Sequence, residues 1–437
     1  MRPARPDRPD RPVRPAGPAG SELVPIRQAA GAILFAGLGY FVDIFDLLLF
    51  AVVRVPSVRD LGAGDRTIEV GTLLQNSQLI GLMAGGLVWG VLGDRRGRRS
   101  ALYGSILLYS VANIANAFVS TVPQYAAWRF IAGFGLAGEL GAALTLVSEM
   151  VDRRQRGTAT TLVATVGVLG AVAAAIVGEL VTWRTAYVIG GGLGLALLVL
   201  RVRLQDSAMF GRTRDLGGRR GDIWRLVSSP ARAARYVRAI LIGVPVWFSA
   251  GILLTFSPEF AKDLGVVGEV TSGRAVLAYY AATTLGDFSS GMLSQWLGSR
   301  RKAVGIYYVL CAVGFAAYLS GAVTTPMGFY AICAWLGLAT GFWAVMVTMA
   351  VEQFGTDLRA TAATSVPTFV RASAVPMTLA FLTLRPTLGS VAAASLVGTV
   401  AMCLASLALW RQPETYGRDL DFTEDGLIRS EALPTGR

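Results

Sequence analysis

The sequence predicts an all-α membrane protein with twelve membrane-spanning helices in two pseudo-symmetric bundles of six, and three observations carry that expectation. The 437-residue chain is 53% hydrophobic and only 16% charged, with a mean hydropathy of +0.53, more apolar surface than a soluble core of this length buries. Its apolar residues gather into blocks of about 20 residues, the length that crosses a bilayer as a helix. A loop rich in glycine and arginine recurs in the two halves of the chain.

In order along the chain, residues 1–28 form a tail in which Pro alternates with Arg and Asp. With so few apolar side chains this tail is expected to be disordered. The first apolar run begins near Ala29 and is long enough to span, so it reads as helix one rather than as a cleaved leader. The spans are expected at 29–53, 69–93, 100–120, 123–149, 157–181 and 185–203 in the first bundle, and at 238–261, 273–297, 302–322, 325–351, 359–383 and 388–410 in the second. Between the bundles (29–203 and 238–410) the polar, arginine-rich stretch 204–237 is a linker, and 411–437 is a second tail.

Charge sets the orientation. With the N-terminus inside, the inner segments hold 31 basic residues and the outer loops only seven. Cationic loops resist translocation, so both tails and the linker belong on the cytosolic side of a cell inner membrane. The net charge of +12 therefore marks membrane-surface loops and not a nucleic-acid partner. The chain has no histidine, which removes imidazole proton shuttles, histidine metal sites and Ser-His-Asp hydrolysis together. Cys311, Cys333 and Cys403 lie in apolar runs without CxxC spacing and read as free, buried thiols. No cofactor or metal is expected, and proton chemistry falls to carboxylates.

The repeat is GVLGDRRGRRS (Gly90–Ser100) after helix two and GMLSQWLGSRR (Gly291–Arg301) after helix eight. At an offset of 201, Gly90 meets Gly291, Gly97 meets Gly298 and Arg99 meets Arg300, which points to duplicated halves. The glycines permit close helix approach, and Asp94 is placed to cap a helix and pair with Arg95, Arg98 or Arg99. On these residues the chain resembles the major facilitator superfamily. That resemblance covers everything between the tails and implies two bundles rocking about a central site, with this loop as a cytosolic latch. In the second copy Gln295 and Ser299 depart from the acidic pattern.

Helix one, GYFVDIFDLLLF, and helix four, WRFIAGFGLAGELGAALTLVSEM, narrow the resemblance to the sugar-porter, organic-acid:proton and phosphate:proton branches. The loops SEMVDRRQRGTATT and VEQFGTDLRATAAT echo each other, which places Glu149, Arg156, Glu352 and Arg359 at an inner gate.

An ionisable group in mid-bilayer costs about 2.5–3.5 kcal/mol on insertion scales, so each needs a partner, a cavity or a task. The candidates are Asp43, Asp46, Arg129, Glu139, Asp287 and Arg371. Asp46 and Arg129 both lie roughly 10 Å below the outer surface at 1.5 Å per residue and are able to pair. In sugar porters the matching pair is implied to couple protons, and the alternative is a static structural pair. Asp43 shares a helical face with Asp46, so at least one carboxyl is expected to be protonated over part of a cycle. Glu139 lies about 15 Å beyond Arg129. Arg371, between Pro367 and Pro376, is either an anchor for a substrate anion or the partner of Asp287 in an internal salt bridge. Gln75, Asn76, Gln78, Tyr40, Trp247, Phe248, Phe342 and Trp343 are candidate cavity residues, with plain packing as the competing role for each.

The expected function is proton symport of a small polar metabolite, an organic acid or a sugar-like compound, by a monomer whose partners are substrate, protons and the lipid bilayer. Proton-antiport efflux and a non-transporting sensor on a carrier fold are the alternatives. An enzyme is not expected, because the sequence offers no nucleophile motif, metal cluster or phosphate loop.

Overall fold

The computed structural model of the protein describes residues 26–96, 98–137, 156–205, 224–355 and 358–417. The first group of helices is α1 (Ile26–Asp60), α2 (Thr67–Arg96), α3 (Arg98–Asn116), α4 (Val122–Leu136), α5 (Arg156–Leu180) and α6 (Trp183–Gln205). The second is α7 (Pro230–Phe248), α8 (Ser257–Asp263), α9 (Ser272–Trp296), α10 (Arg300–Leu319), α11 (Pro326–Thr340), α12 (Trp343–Glu352), α13 (Arg359–Ala372) and α14 (Ala374–Trp410). Among the described residues there is no strand.

Local chemistry sets many of these boundaries. Thr121, Ser229, Thr271, Ser299 and Thr325 each turn a side-chain oxygen onto the backbone N–H three residues later, capping α4, α7, α9, α10 and α11. The seventh expected span starts at Pro230, earlier than 238, because Ser229 and Pro230 supply a start signal inside the polar stretch. The tenth expected span is broken into α11 and α12 at Gly341 and Phe342. Spans eleven and twelve run through α13 and α14, turning at Gly389, whose φ of 79° falls where a side chain is strained.

Six stretches of the described helices are long and apolar enough to cross a membrane on length and composition: Ala36–Asp60, Trp183–Val202, Pro230–Leu254, Arg300–Leu319, Pro326–Glu352 and Thr361–Trp410, the last containing two expected spans. The chain is thus a multi-pass membrane protein. Helix α2 is less apolar because it carries Gln75, Asn76 and Gln78, all buried. Lipid-facing positions are apolar, as Leu285, Phe288, Val309 and Leu404 illustrate.

Packing follows the duplication. In the first group α1 lies on α5 and α2 on α4, and in the second α9 lies on α11 and α7 on α14. Gly133 of α4 seats against the backbone of Gln78, and Gly337 of α11 seats the same way on Tyr279, which is Gln78 displaced by the 201-residue offset. Small residues let helices approach closely where apolar solvent gives no other drive to associate. The groups meet through α5 on α9, α1 on α9, and α2 on α13 and α14. Cys311 and Cys333 are buried as expected, whereas Cys403 is exposed on the lipid side of α14.

Candidate functional site

At the meeting of α1, α9, α12 and α13 lies Arg371, 3% exposed, with its guanidinium carbon 5.7 Å from the centre of the Trp343 ring. The hydroxyl of Tyr40 on α1 is within hydrogen-bonding reach of that guanidinium and within electrostatic range of Asp43 and Asp287. Nη1 of Arg371 has no hydrogen-bond partner in the protein. Arginine stays charged, so a buried nitrogen of this kind suits an oxyanion.

Asp287 does not form the internal salt bridge that was one of the two sequence readings of Arg371. Its Oδ1 accepts the backbone N–H of Ala344 at 3.3 Å, and the N–H of Trp343 also reaches the carboxylate. The break after Gly341 exposes the first N–H groups of α12, and Phe342 offers no side-chain cap. A carboxylate from the neighbouring helix supplies one, which leaves Arg371 for another partner.

Further from the tails, Gln75 donates from Nε2 to the carbonyl of Gly251 at 3.1 Å, in the π-helical segment Ser249–Leu254. Trp247 borders the same glycine. Asn76 accepts from Thr378 Oγ1 at 2.9 Å. These contacts lie on a seam between the two groups, and Gly251 also faces Ala374, one turn along the chain from Arg371.

Arg129 is buried and donates to Gln78 and, at 3.4 Å, to the hydroxyl of Tyr187, while its guanidinium covers the ring of Phe50 at 4.2 Å. Tyr187 bonds Tyr125 at 2.7 Å. Asp46, 1% exposed, packs on Gly190, where an added Cβ would lie 2.7 Å from Oδ1. Tyr187 and Gly190 are one turn apart on α6, so Arg129 and Asp46 meet the same face of one helix, and Tyr187 is in electrostatic range of both. Asp43 is buried one turn from Asp46 on α1.

Glu139, Glu149 and Gly97 lie outside the described residues. For Gly90, Asp94, Arg95, Arg98, Arg99 and Arg156 only the helix backbone is described. In the second copy of the loop Arg300 bonds Ser294 Oγ at 2.9 Å and pairs with Glu352 at 3.3 Å, so Glu352 supplies an acidic partner where the motif itself has Gln295. Arg359 donates to the carbonyl of Phe354 at 3.3 Å.

A set of contacts that the sequence reading passed over closes the end remote from the tails. Arg54, fully buried, donates to Glu259 at 2.6 Å and to the carbonyls of Thr67 and Thr255, over the ring of Phe256. Arg385 pairs with Glu69 at 2.6 Å. Glu179 accepts from Thr271 at 2.8 Å and faces Arg274 at 3.9 Å. Each joins the first group of helices to the second. Their only signal in the sequence is charge at span boundaries, where interfacial water makes charge uninformative.

A pseudo-repeated all-helical chain with a buried cation between its halves matches one family model, described as Major Facilitator Superfamily, over residues 36–376. The chain belongs to the Major Facilitator Superfamily. Like its named relatives this superfamily member is a transporter and not an enzyme. It is 28% identical to a niacin transporter of Acinetobacter baylyi, over 74% of this chain and 80% of that protein. It is 28% identical to a 4-hydroxybenzoate transporter of Pseudomonas putida, over 74% of this chain and 77% of that one. A gentisate transporter of Corynebacterium glutamicum is 25% identical over 74% and 75%. Among solved structures, the crystal structure of a D-xylose-proton symporter superposes with a TM-score of 0.65 at 17% identity, covering 89% of this chain and 99% of that one, which shows a shared fold.

Proposed function

We propose that this superfamily member is a proton-coupled carrier of small aromatic carboxylates, built as twelve spans in two bundles (29–203 and 238–410). The observation that carries this reading is Arg371, a buried guanidinium with an unpartnered nitrogen beside the ring of Trp343 and the hydroxyl of Tyr40. A carboxylate satisfies the nitrogen, and Tyr40 and Trp343 suit the plane of an aryl ring. A neutral sugar would leave the cation without compensation, so of the two substrate classes expected from sequence the organic acid is favoured. Relatives named for niacin, 4-hydroxybenzoate and gentisate, all aromatic acids, support the same class.

Coupling is assigned to Asp46 with Arg129, Asp43 and Glu139, and a symporter among the structural neighbours is consistent with it. Gln75, Asn76, Trp247 and Asp287 then shape the cavity and its seam. The Gly90–Arg99 loop with Glu149, Arg156, Glu352 and Arg359 forms the gate at the tail end, which faces the cytosol of a cell inner membrane. Because Arg54, Glu69 and Glu179 and their partners join the groups at the remote end, access to Arg371 is assigned to the tail side. One proton moving down about 100 mV supplies about 2.3 kcal/mol, enough to drive accumulation.

The test is binding of 4-hydroxybenzoate, nicotinate and xylose to purified protein. Tight binding of the acids that is lost in Arg371→Ala supports the reading. Binding of xylose alone, or of acids with unchanged affinity in Arg371→Ala, overturns it.

A further inference from the structure

Away from the central site, a groove of about 960 Å³ runs along the lipid-facing surface between the first turns of α10 and the last turns of α14. One wall extends from Leu297 to Ala312 and the other from Met402 to Glu414. At 1.5 Å per residue the α10 wall is roughly 20 Å long. Half the hydrocarbon core of a bilayer is roughly 15 Å, so the groove reaches from the interface deep into one leaflet. Its walls are mainly apolar, with Ser406 and Tyr308 among them and Val309 and Trp410 63% and 70% exposed.

The mouth differs from the walls. Arg301 and Lys302, in the first turn of α10, border it. The guanidinium of Arg301 is oriented by one bond, from Nη2 to the carbonyl of Trp410 at 3.0 Å, and its other side-chain N–H groups are left for a ligand. The carboxylate of Glu414 also borders the mouth, but its oxygens are already taken by the Ser299 hydroxyl and the backbone N–H groups of Arg300, Arg301, Thr415 and Tyr416. Although burial pushes its pKa up, those donors hold it below the ordinary value, so it stays ionised and occupied. The cations of Arg301 and Lys302 outnumber it, and Arg411 follows at the exposed end of α14.

We propose that this groove binds an anionic glycerophospholipid, with its phosphate on Arg301 and Lys302 and one acyl chain laid between α10 and α14. An apolar furrow at leaflet depth is filled by hydrocarbon, and two cations at its interfacial end select for a negatively charged headgroup. Nothing in this assignment depends on what the carrier transports.

Trp410 reports on the groove directly. Full-length protein is placed in nanodiscs of phosphatidylcholine containing a small fraction of phosphatidylglycerol or phosphatidylcholine brominated on the acyl chain, and the Trp410 signal is taken as the difference between the wild type and Trp410→Phe. Brominated phosphatidylglycerol is expected to quench Trp410 at least twofold more than brominated phosphatidylcholine at equal fraction. The preference should vanish in the Arg301→Gln/Lys302→Gln double variant and persist in Arg301→Lys/Lys302→Arg, which keeps both charges. Equal quenching by the two lipids in the wild type overturns the proposal by showing an unselective annulus. Quenching by neither overturns it by showing the groove filled by protein, either residues 418–437 or a second copy. A preference that survives in the double glutamine variant overturns the assignment to these two cations.

Discussion

Arg54 of α1 and Glu259 of α8, 205 residues apart in the chain, form a 2.6 Å ion pair in which the arginine is fully buried and the glutamate half-buried. The pair crosses between the two groups of helices at the end remote from the tails. Breaking one side of such a pair leaves an uncompensated buried charge, a loss of about 3–5 kcal/mol to whichever state contains it. If only the closed conformation holds the pair, its loss shifts the population toward opening at this end. Glu259→Gln, which keeps the side chain's shape, should therefore speed labelling of Ser257→Cys by an impermeant maleimide at least tenfold in a Cys403→Ser background. Unchanged labelling would show that the pair does not hold this end shut.

Arg371→Lys keeps the charge but loses the planar fork, and should weaken binding of an aromatic acid by about tenfold, roughly 1.4 kcal/mol. Arg371→Ala should abolish it within the measurable range. Titration calorimetry on purified, monodisperse variants checks both, and equal affinity in all three proteins would remove Arg371 from the binding site.

Asp46→Asn removes a titrating carboxyl while keeping its size. Accumulation driven by an imposed pH gradient should be lost in proteoliposomes, whereas exchange of labelled for unlabelled substrate persists, because exchange needs reorientation of the loaded carrier without net proton movement. Gly190→Ala should impair coupling in the same direction, since its new Cβ would press on Asp46 Oδ1. An Asp46→Asn carrier that still concentrates substrate would pass the coupling role to Asp43 or Glu139.

Asp287→Ala takes the cap from the N-terminus of α12 and should cost about 1–2 kcal/mol of stability. Asp287→Asn keeps an acceptor and should lose less than half of that. Thermal melts of the three proteins in one detergent give the order. If Asp287 holds up α12 and does not touch substrate, Asp287→Asn binds the acid normally, and a large affinity loss there would place it in the binding site.

Glu414 titrates below the ordinary glutamate range, so its contribution to the cap of α10 is present above the ordinary value and is lost as pH falls through the depressed one. Glu414→Gln should lower the melting temperature at pH 7, and the gap from the wild type should narrow at a pH below that depressed value. A gap independent of pH would mean the carboxylate charge contributes nothing there.

Much of this architecture was legible in order along the chain, because a bilayer imposes length and polarity on each helix separately. Apolar blocks, basic loops and the repeat at Gly90 and Gly291 are local or periodic signals, and they named the superfamily before any contact was known. That Arg371 and Asp287 are ionisable residues inside helices was legible for the same reason: an interruption of an apolar run is read directly along the chain. Their partners were not. Whether Arg371 meets Asp287 depends on where the chain breaks after Gly341, since that break frees the N–H groups of Trp343 and Ala344 to claim the carboxylate. The contact of Arg129 and Asp46 with one face of α6 rests on Tyr187 and Gly190, residues that carry no charge and gave no sign in sequence. The closure through Arg54, Glu69 and Glu179 joins residues 92 to 316 apart. Hydropathy gives the depth of each helix but not its rotation or its neighbour, and those come only from side chains packing across helices in three dimensions.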